Sequence, residues 1–548
     1  MVQWTYENSV ERMRNMKEPP HPCQTDENSA CKDCGQISPI ADFEIEDGVF
    51  KKYLGNAETV VIPAGVTSIG KGAFARCESL KSIHIPNGVT SIEAFAFYHC
   101  SALTSVHIPD GVTSIGYEAF SDCKALPAIE IPDSVTSIGY GAFSGCRALA
   151  SIHISEGITR IDADIFQDCK ALPSVHIPDG VTSIGENAFS GCCALTSVHI
   201  PDGVTSIGEN AFYHCSALSS IHIPNGITRI EDETFSECKA LTSIEIPDGV
   251  TSIGESAFYH CSALTSVHIP DGVTSIGYDA FSGCHALPAI KIPDSVTSIG
   301  CSAFYECHAL TSIHIPEGIT RIDVDTFYNC KALTSVRIPD GVTSINPSAF
   351  YGCEALSSIH IPDSVTVIEN EAFWGCYALS AIEIPASVKE IGKHVFPSNT
   401  AIRNKSSLTI PPIPEFEIAH GTLTRYLGHS NSVVIPDHVT HIGDGAFWDC
   451  TFLTAVTIPD GVTSIGYDAF LNCEALTAIR IPDSVTRIED EAFRGCNSLK
   501  SVKIPKSVTY IGDDAFPPAT KIIRVSAIPV ELPLQKHGIS PIQTQQKG

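Results

Sequence analysis

Apolar residues along this chain fall into two short alternating clusters that return every 23 residues. One unit reads LTSVHIPDGVTSIGYEAFSDCKA, from Leu103 to Ala125. In its first part, Leu103, Val106 and Ile108 are interleaved with polar Ser105 and His107. Such β-branched alternation predicts a short strand with the apolar side chains inward. Pro109 has no N–H and is expected to end strand pairing, and Asp110 and Gly111 turn the chain. Ser134, Ser295, Ser364 and Ser484 stand at the position of that glycine in other units, so a positive φ is not required there. VTSIG predicts a second extended segment with Val112 and Ile115 inward, and EAFSDC (Glu118 to Cys123) a single helical or 3-10 turn.

The period holds over most of the chain. Phenylalanine recurs every 23 residues from Phe74 to Phe396, and again at Phe447, Phe470, Phe493 and Phe516. Cysteine follows three residues later in all of these units except those of Phe396 and Phe516. One unit cannot bury its own apolar face, whereas stacked units can. The expected fold is therefore a solenoid, mainly β with short helical or 3-10 turns, whose rungs are joined by parallel β ladders about 4.8 Å apart.

A larger duplication is superimposed. FEIEDGVFKKYLGNAETVVIP (Phe43 to Pro63) and FEIAHGTLTRYLGHSNSVVIP (Phe416 to Pro436) stand where a solenoid needs an N-terminal cap. FPSNTAI (Phe396 to Ile402) resembles FPPATKI (Phe516 to Ile522), and both lose the cysteine, as C-terminal caps would. The expected organisation is a polar leader over 1–42, a long capped array over 43–403, a linker over 404–415, a short capped array over 416–525, and a disordered tail over 526–548. Within the long array, Tyr98 to Asp162 closely resembles Tyr259 to Asp323, which points to copying of a whole block.

The unit pattern AFxxCxxLxxIxIPxxVTSIG resembles the BspA-like class of leucine-rich repeats, and FEIEDGVFKKYLG looks like the leader that often opens such arrays. The likeness runs from about Phe43 to Val525. It implies a right-handed leucine-rich-repeat solenoid and a non-enzymatic, adhesion-type role in binding proteins. A host or matrix protein is the partner class it implies, at a cell surface or outside the cell. The N-terminal stretch Met1 to Pro20 is polar and lacks an apolar signal core, and no anchor motif is present. From the residues alone the expectation is a cytoplasmic protein, or one exported by a non-classical route. An intracellular scaffold binding a cellular protein is thus the alternative reading, and the oligomeric state is left open.

Composition narrows the partners. Acidic residues number 62 against 34 basic, for a formal net charge of −28. That field repels nucleic acid and anionic lipid. The longest apolar runs are too short for a membrane span. No GxSxG, HExxH or complete phosphate-binding loop occurs, and GVTSIGKG (Gly65 to Gly72) lacks the closing Ser or Thr. No catalytic residue is assigned and no enzyme is expected.

Three features carry candidate chemistry. The outward position between the last two core residues of the main strand is histidine in nine units: His84, His107, His153, His176, His199, His222, His268, His314 and His360. With Ser105 and its equivalents they are the candidate ligand face. Histidine titrates near neutrality and ligates metals, so a pH-responsive or metal-binding strip is one reading. A solvated position multiplied by duplication is the simpler one, because a straight column lacks the convergence of a metal site. The cysteine column sits in the core pattern and reads as buried, reduced thiols rather than disulfides. At the N-terminus, His21, Cys23, Cys31 and Cys34 offer four ligands with one CxxC knuckle, a candidate zinc site, and a disordered, Cys-containing leader is the simpler reading. No other cofactor is expected.

Overall fold

The computed structural model describes residues 42–408, 415–428 and 430–524. The chain winds as a parallel β-solenoid, and most rungs contribute a three-residue strand to a main ladder and a two-residue strand to a second one. In the main ladder Ser82–His84 pairs in parallel with Thr59–Val61 on one side and Ser105–His107 on the other, with His84 opposite His107. In the second ladder Ser91–Ile92 pairs in parallel with Ser114–Ile115. The 23-residue offset of each pair is the sequence period itself, so like residues stack on like.

The stacking builds the core. Leu103, Ile108, Val112, Ile115, Phe120 and Cys123 are buried, as are most of their counterparts along the chain. From Phe50 to Phe396 each phenyl ring stacks on the next, with centroid separations between 4.8 and 6.0 Å. A second stack runs from Phe447 to Phe516. Each stack belongs to its own hydrophobic core.

The Pro-Asp-Gly turn forms as expected: Val112 N–H donates to the Pro109 carbonyl at 3.0 Å. Gly111 lies outside the left-handed region, in keeping with serine at its equivalents.

The EAFSDC segment differs in detail from a helical turn. Ala119, Ser121 and Cys123 N–H groups donate three residues back, to Gly116, Glu118 and Phe120. The intervening Glu118, Phe120 and Asp122 N–H groups donate instead to Tyr140, Ala142 and Ser144 of the next rung. To aim alternate N–H groups along the stack, the backbone turns left-handed at Glu118 (φ 46°) and Asp122 (φ 57°). That alternation prevents a continuous helix, and no helix occurs among the described residues.

Each array opens with a hairpin. Strands β1 (Phe43–Glu46) and β2 (Val49–Tyr53) are antiparallel, with Glu46 opposite Val49, and β2 then pairs in parallel with the first rung. Asp47 and Gly48 both have positive φ, 50° and 77°, as a two-residue primed turn demands. Phe50 lies over Phe74 at 4.8 Å and Phe43 covers Phe50 in turn. The second hairpin, Phe416–Ala419 and Thr422–Tyr426, repeats the arrangement at His420 and Gly421. At the far ends the last strand follows the previous one by 20 residues, as Ala381↔Ala401 and Ser501↔Lys521. There Thr400 and Thr520 hydroxyls donate to the Leu379 and Leu499 carbonyls at 2.8 and 2.7 Å.

Candidate functional site

The main ladder presents an exposed face. Ser105 and all nine predicted histidines lie on it, each exposed to solvent. Strand pairing sets like positions side by side, as His84↔His107 and His176↔His199. Elsewhere the column alternates charge type, as Glu245↔His268 and Lys291↔His314.

A second column runs beside it. The acid at the turn after the main strand of one rung lies next to the ladder residue of the following rung, twenty positions on. His153 Nε2 lies 3.9 Å from Asp133, His176 Nε2 3.5 Å from Glu156, and His314 Nε2 3.2 Å from Asp294. Arg337 pairs with Glu317 in the same way, and in the short array Arg480 lies 3.3 Å from Asp460. These pairs are exposed, so they orient side chains more than they stabilise the fold. A hollow of about 370 Å³ opens on this face, lined by His107, Asp110, Glu130, Asp133 and His153 among others. It lies where pairing lapses between the strands at 105–107 and 128–130. The result is a long polar strip of imidazole and carboxylate, suited to many small contacts and poorly suited to enclosing a small substrate.

The cysteines stand inside the rungs. All 19 described cysteines are free thiols, and 16 of them are buried. Cys100 donates to the Phe74 carbonyl at 3.0 Å, and the same bond recurs 26 residues apart at Cys215, Cys330 and Cys496. Burial pushes the thiols of Cys146, Cys261 and Cys307 up to about 12. Raised values of that kind suppress the thiolate and with it nucleophilic or ligand chemistry. His21, Cys23, Cys31 and Cys34 lie outside the described residues.

One cluster was missed by reading single columns. His285, Glu306 and His308 bring one potential ligand atom each within 4.8 Å of the others. Both histidines directly follow a core cysteine, one rung apart, and Glu306 directly precedes Cys307. The two imidazole centroids are 4.7 Å apart, and His260 meets His285 edge-on at 5.9 Å. Burial, and after it the neighbouring His285, hold the His308 imidazole below its ordinary value. The signal was present in the sequence as two histidines 23 residues apart with a carboxylate two residues before the second.

The two arrays also touch. Arg425 Nη1 lies 2.7 Å from Glu371 Oε1, with its guanidinium over the Trp374 ring at 5.9 Å. His394 Nε2 is 3.1 Å from Glu417, and Tyr377 meets Phe452 edge-on at 5.1 Å.

The family model for the BspA type leucine rich repeat region matches residues 43–173, 161–288, 276–403 and 425–530. None of the curated proteins compared matches the chain significantly. Among solved structures, a leucine-rich repeat protein from Bacteroides ovatus ATCC 8483 is 29% identical. That match covers 76% of this chain and 88% of that one, with a TM-score of 0.47. A leucine rich cell surface protein from Faecalibacterium prausnitzii A2-165 is 34% identical over 55% of this chain and 95% of its own, with a TM-score of 0.42. A leucine-rich repeat protein from Eubacterium ventriosum ATCC 27560 is 24% identical over 66% and 94%, with a TM-score of 0.42.

Proposed function

Given that the chain belongs to the BspA-type leucine-rich repeat family, whose solenoids are typically binding scaffolds rather than enzymes, we propose that it is an adhesion-type protein that binds a host or matrix protein through the exposed main-ladder face. The observation that carries this reading is the pair of polar columns along that face. His107, His153, His176 and their equivalents stand beside acids such as Asp133 and Glu156 over many rungs. Each contact would be weak, and repetition along a rigid rod would supply the affinity by raising effective concentration.

Immobilised matrix proteins, incubated with the purified chain, test this. Replacing His153, His176, His199 and His222 together by alanine is expected to weaken binding at least about tenfold, while His107→Ala alone changes it little. A quadruple variant that binds like the parent would sink the idea, provided its circular dichroism is unchanged.

The sixteen buried free thiols favour a second reading, an intracellular scaffold for a cellular protein, because such thiols persist most readily in a reducing compartment. Labelling of intact cells with a membrane-impermeant reagent separates the two. Modification of the chain supports adhesion, and protection until lysis supports the scaffold.

A further inference from the structure

The cluster at His285, Glu306 and His308 has the construction of a metal site, and it lies apart from the ladder face. His285 Nδ1 is 2.9 Å from the Glu306 carbonyl, and His308 Nδ1 is 3.2 Å from the Asn329 carbonyl. A carbonyl can only accept, so each Nδ1 carries the proton and donates. That fixes the tautomer and leaves the Nε2 lone pair of both rings free. An imidazole whose other nitrogen is tied to a backbone carbonyl is the usual preparation of a metal-ligating histidine.

The solenoid supplies the rest. His285 and His308 occupy the same position in consecutive rungs, so the stacking distance holds their rings together. Cys307 is buried in the core between Glu306 and His308, which leaves both of them on the outer side of the turn. A tetrahedral zinc ion with bonds of about 2.0–2.1 Å asks for ligand atoms roughly 3.3 Å apart. One potential ligand atom of each residue already lies within 4.8 Å of the other two, and binding would draw the three side chains together to that spacing. The nearby Lys331 ammonium is paired with Glu354 at 3.4 Å, which offsets its charge. The chain's net charge of −28 further favours accumulation of divalent cations at its surface.

We propose that His285, Glu306 and His308 form a Zn²⁺ site with two imidazoles and one carboxylate as ligands. A fourth position stays open to water or to a donor from a bound molecule. The nine ladder histidines lack this arrangement, because none of them adds a carbonyl-held Nδ1 to a convergent carboxylate and second imidazole.

Cobalt(II) is the probe, because its visible ligand-field band reports low coordination number and its thiolate complexes add a separate charge-transfer band. The full chain is used with Cys23, Cys31 and Cys34 replaced by serine, so that the N-terminal ligands cannot contribute. One equivalent of Co²⁺ is expected to bind with a ligand-field band and no thiolate band, and Zn²⁺ should displace it. The pair His285→Asn and His308→Asn should abolish the band and weaken binding at least about tenfold. His176→Asn with His199→Asn should leave both unchanged. In the unsubstituted protein, Zn²⁺ should protect His285 and His308 from diethylpyrocarbonate while His107 and His360 stay reactive. That second measurement does not depend on any variant folding. Unchanged Co²⁺ binding in the His285/His308 variant, absence of Co²⁺ binding altogether, or failure of zinc to protect the two rings would each overturn the proposal.

Discussion

At the residue scale, the buried cysteines tie the chemistry of the core to pH. A folded thiol pushed up to about 12, as at Cys146 or Cys307, keeps its proton where the unfolded thiol, at its ordinary 9.0, has lost it. The folded state then binds more protons, and its stability falls as pH rises. The contribution is fully present below pH 9.0 and is lost through the folded value. Circular dichroism should therefore show a steep alkaline unfolding transition that sets in above about pH 9, sharpened by the number of thiols acting together. At neutral pH, peptide mapping after alkylation should find Cys77, Cys193 and Cys301 modified first among the described thiols, since these three are only half-buried. Reaction of Cys215 or Cys330 in the native state at comparable rates would contradict this account. The burial of the column was legible because cysteine recurs within the apolar pattern beside phenylalanine. The thiol-to-carbonyl bond was not, since it joins residues 26 apart in neighbouring rungs.

At the element scale, the unit of stability is the interface between rungs. Phe235 is buried between Phe212 and Phe258, at 5.7 and 5.6 Å. Phe235→Ala should cost about 3–5 kcal/mol, because the rungs above and below prevent the cavity from collapsing. Phe516 stacks on a neighbour on one side alone in its array, Phe493, and Phe516→Ala should cost less. Urea unfolding of both variants checks the order, and equal losses would show that the stack does not transmit packing as argued. Strand positions were readable from alternation, and the Asp-Gly of the first hairpin was a readable turn signal. The paired left-handed positions of each turn were not. Glycine marks them in some units, as at Gly141, Gly145, Gly191 and Gly283, but residues such as Glu118, Asp122, His214 and Glu306 occupy them in others and blur the signal. Their conformation is imposed by the need to send every second N–H to the next rung.

At the scale of the whole molecule, two cores meet through a few side chains that depart from the repeat. Arg425 contacts Glu371 and Trp374, and Tyr377 contacts Phe452. Replacing Arg425 and Phe452 together by alanine should leave the secondary structure intact and free the arrays to move. Small-angle scattering should then report a larger and broader distribution of intramolecular distances. An unchanged scattering curve would show that these contacts do not hold the arrays together. Nothing in the period announced this docking, because Arg425, Tyr377 and Phe452 stand where the equivalent residues elsewhere differ. Among the described residues no helix is long and apolar enough to cross a membrane.

The hairpin at Phe43–Tyr53 and the shortened last rung at Ala401–Asn404 close their ends without reference to what lies between them. Every interior rung meets its neighbours through the same 23-residue offset, so a block of whole rungs can be inserted or removed and every surviving bond finds its partner. Near-identical blocks such as 98–162 and 259–323 are what such editing leaves behind. The molecule is in this sense a ruler of adjustable length, graduated in steps of about 4.8 Å, and the span of a partner can be matched by counting rungs instead of by redesigning a surface.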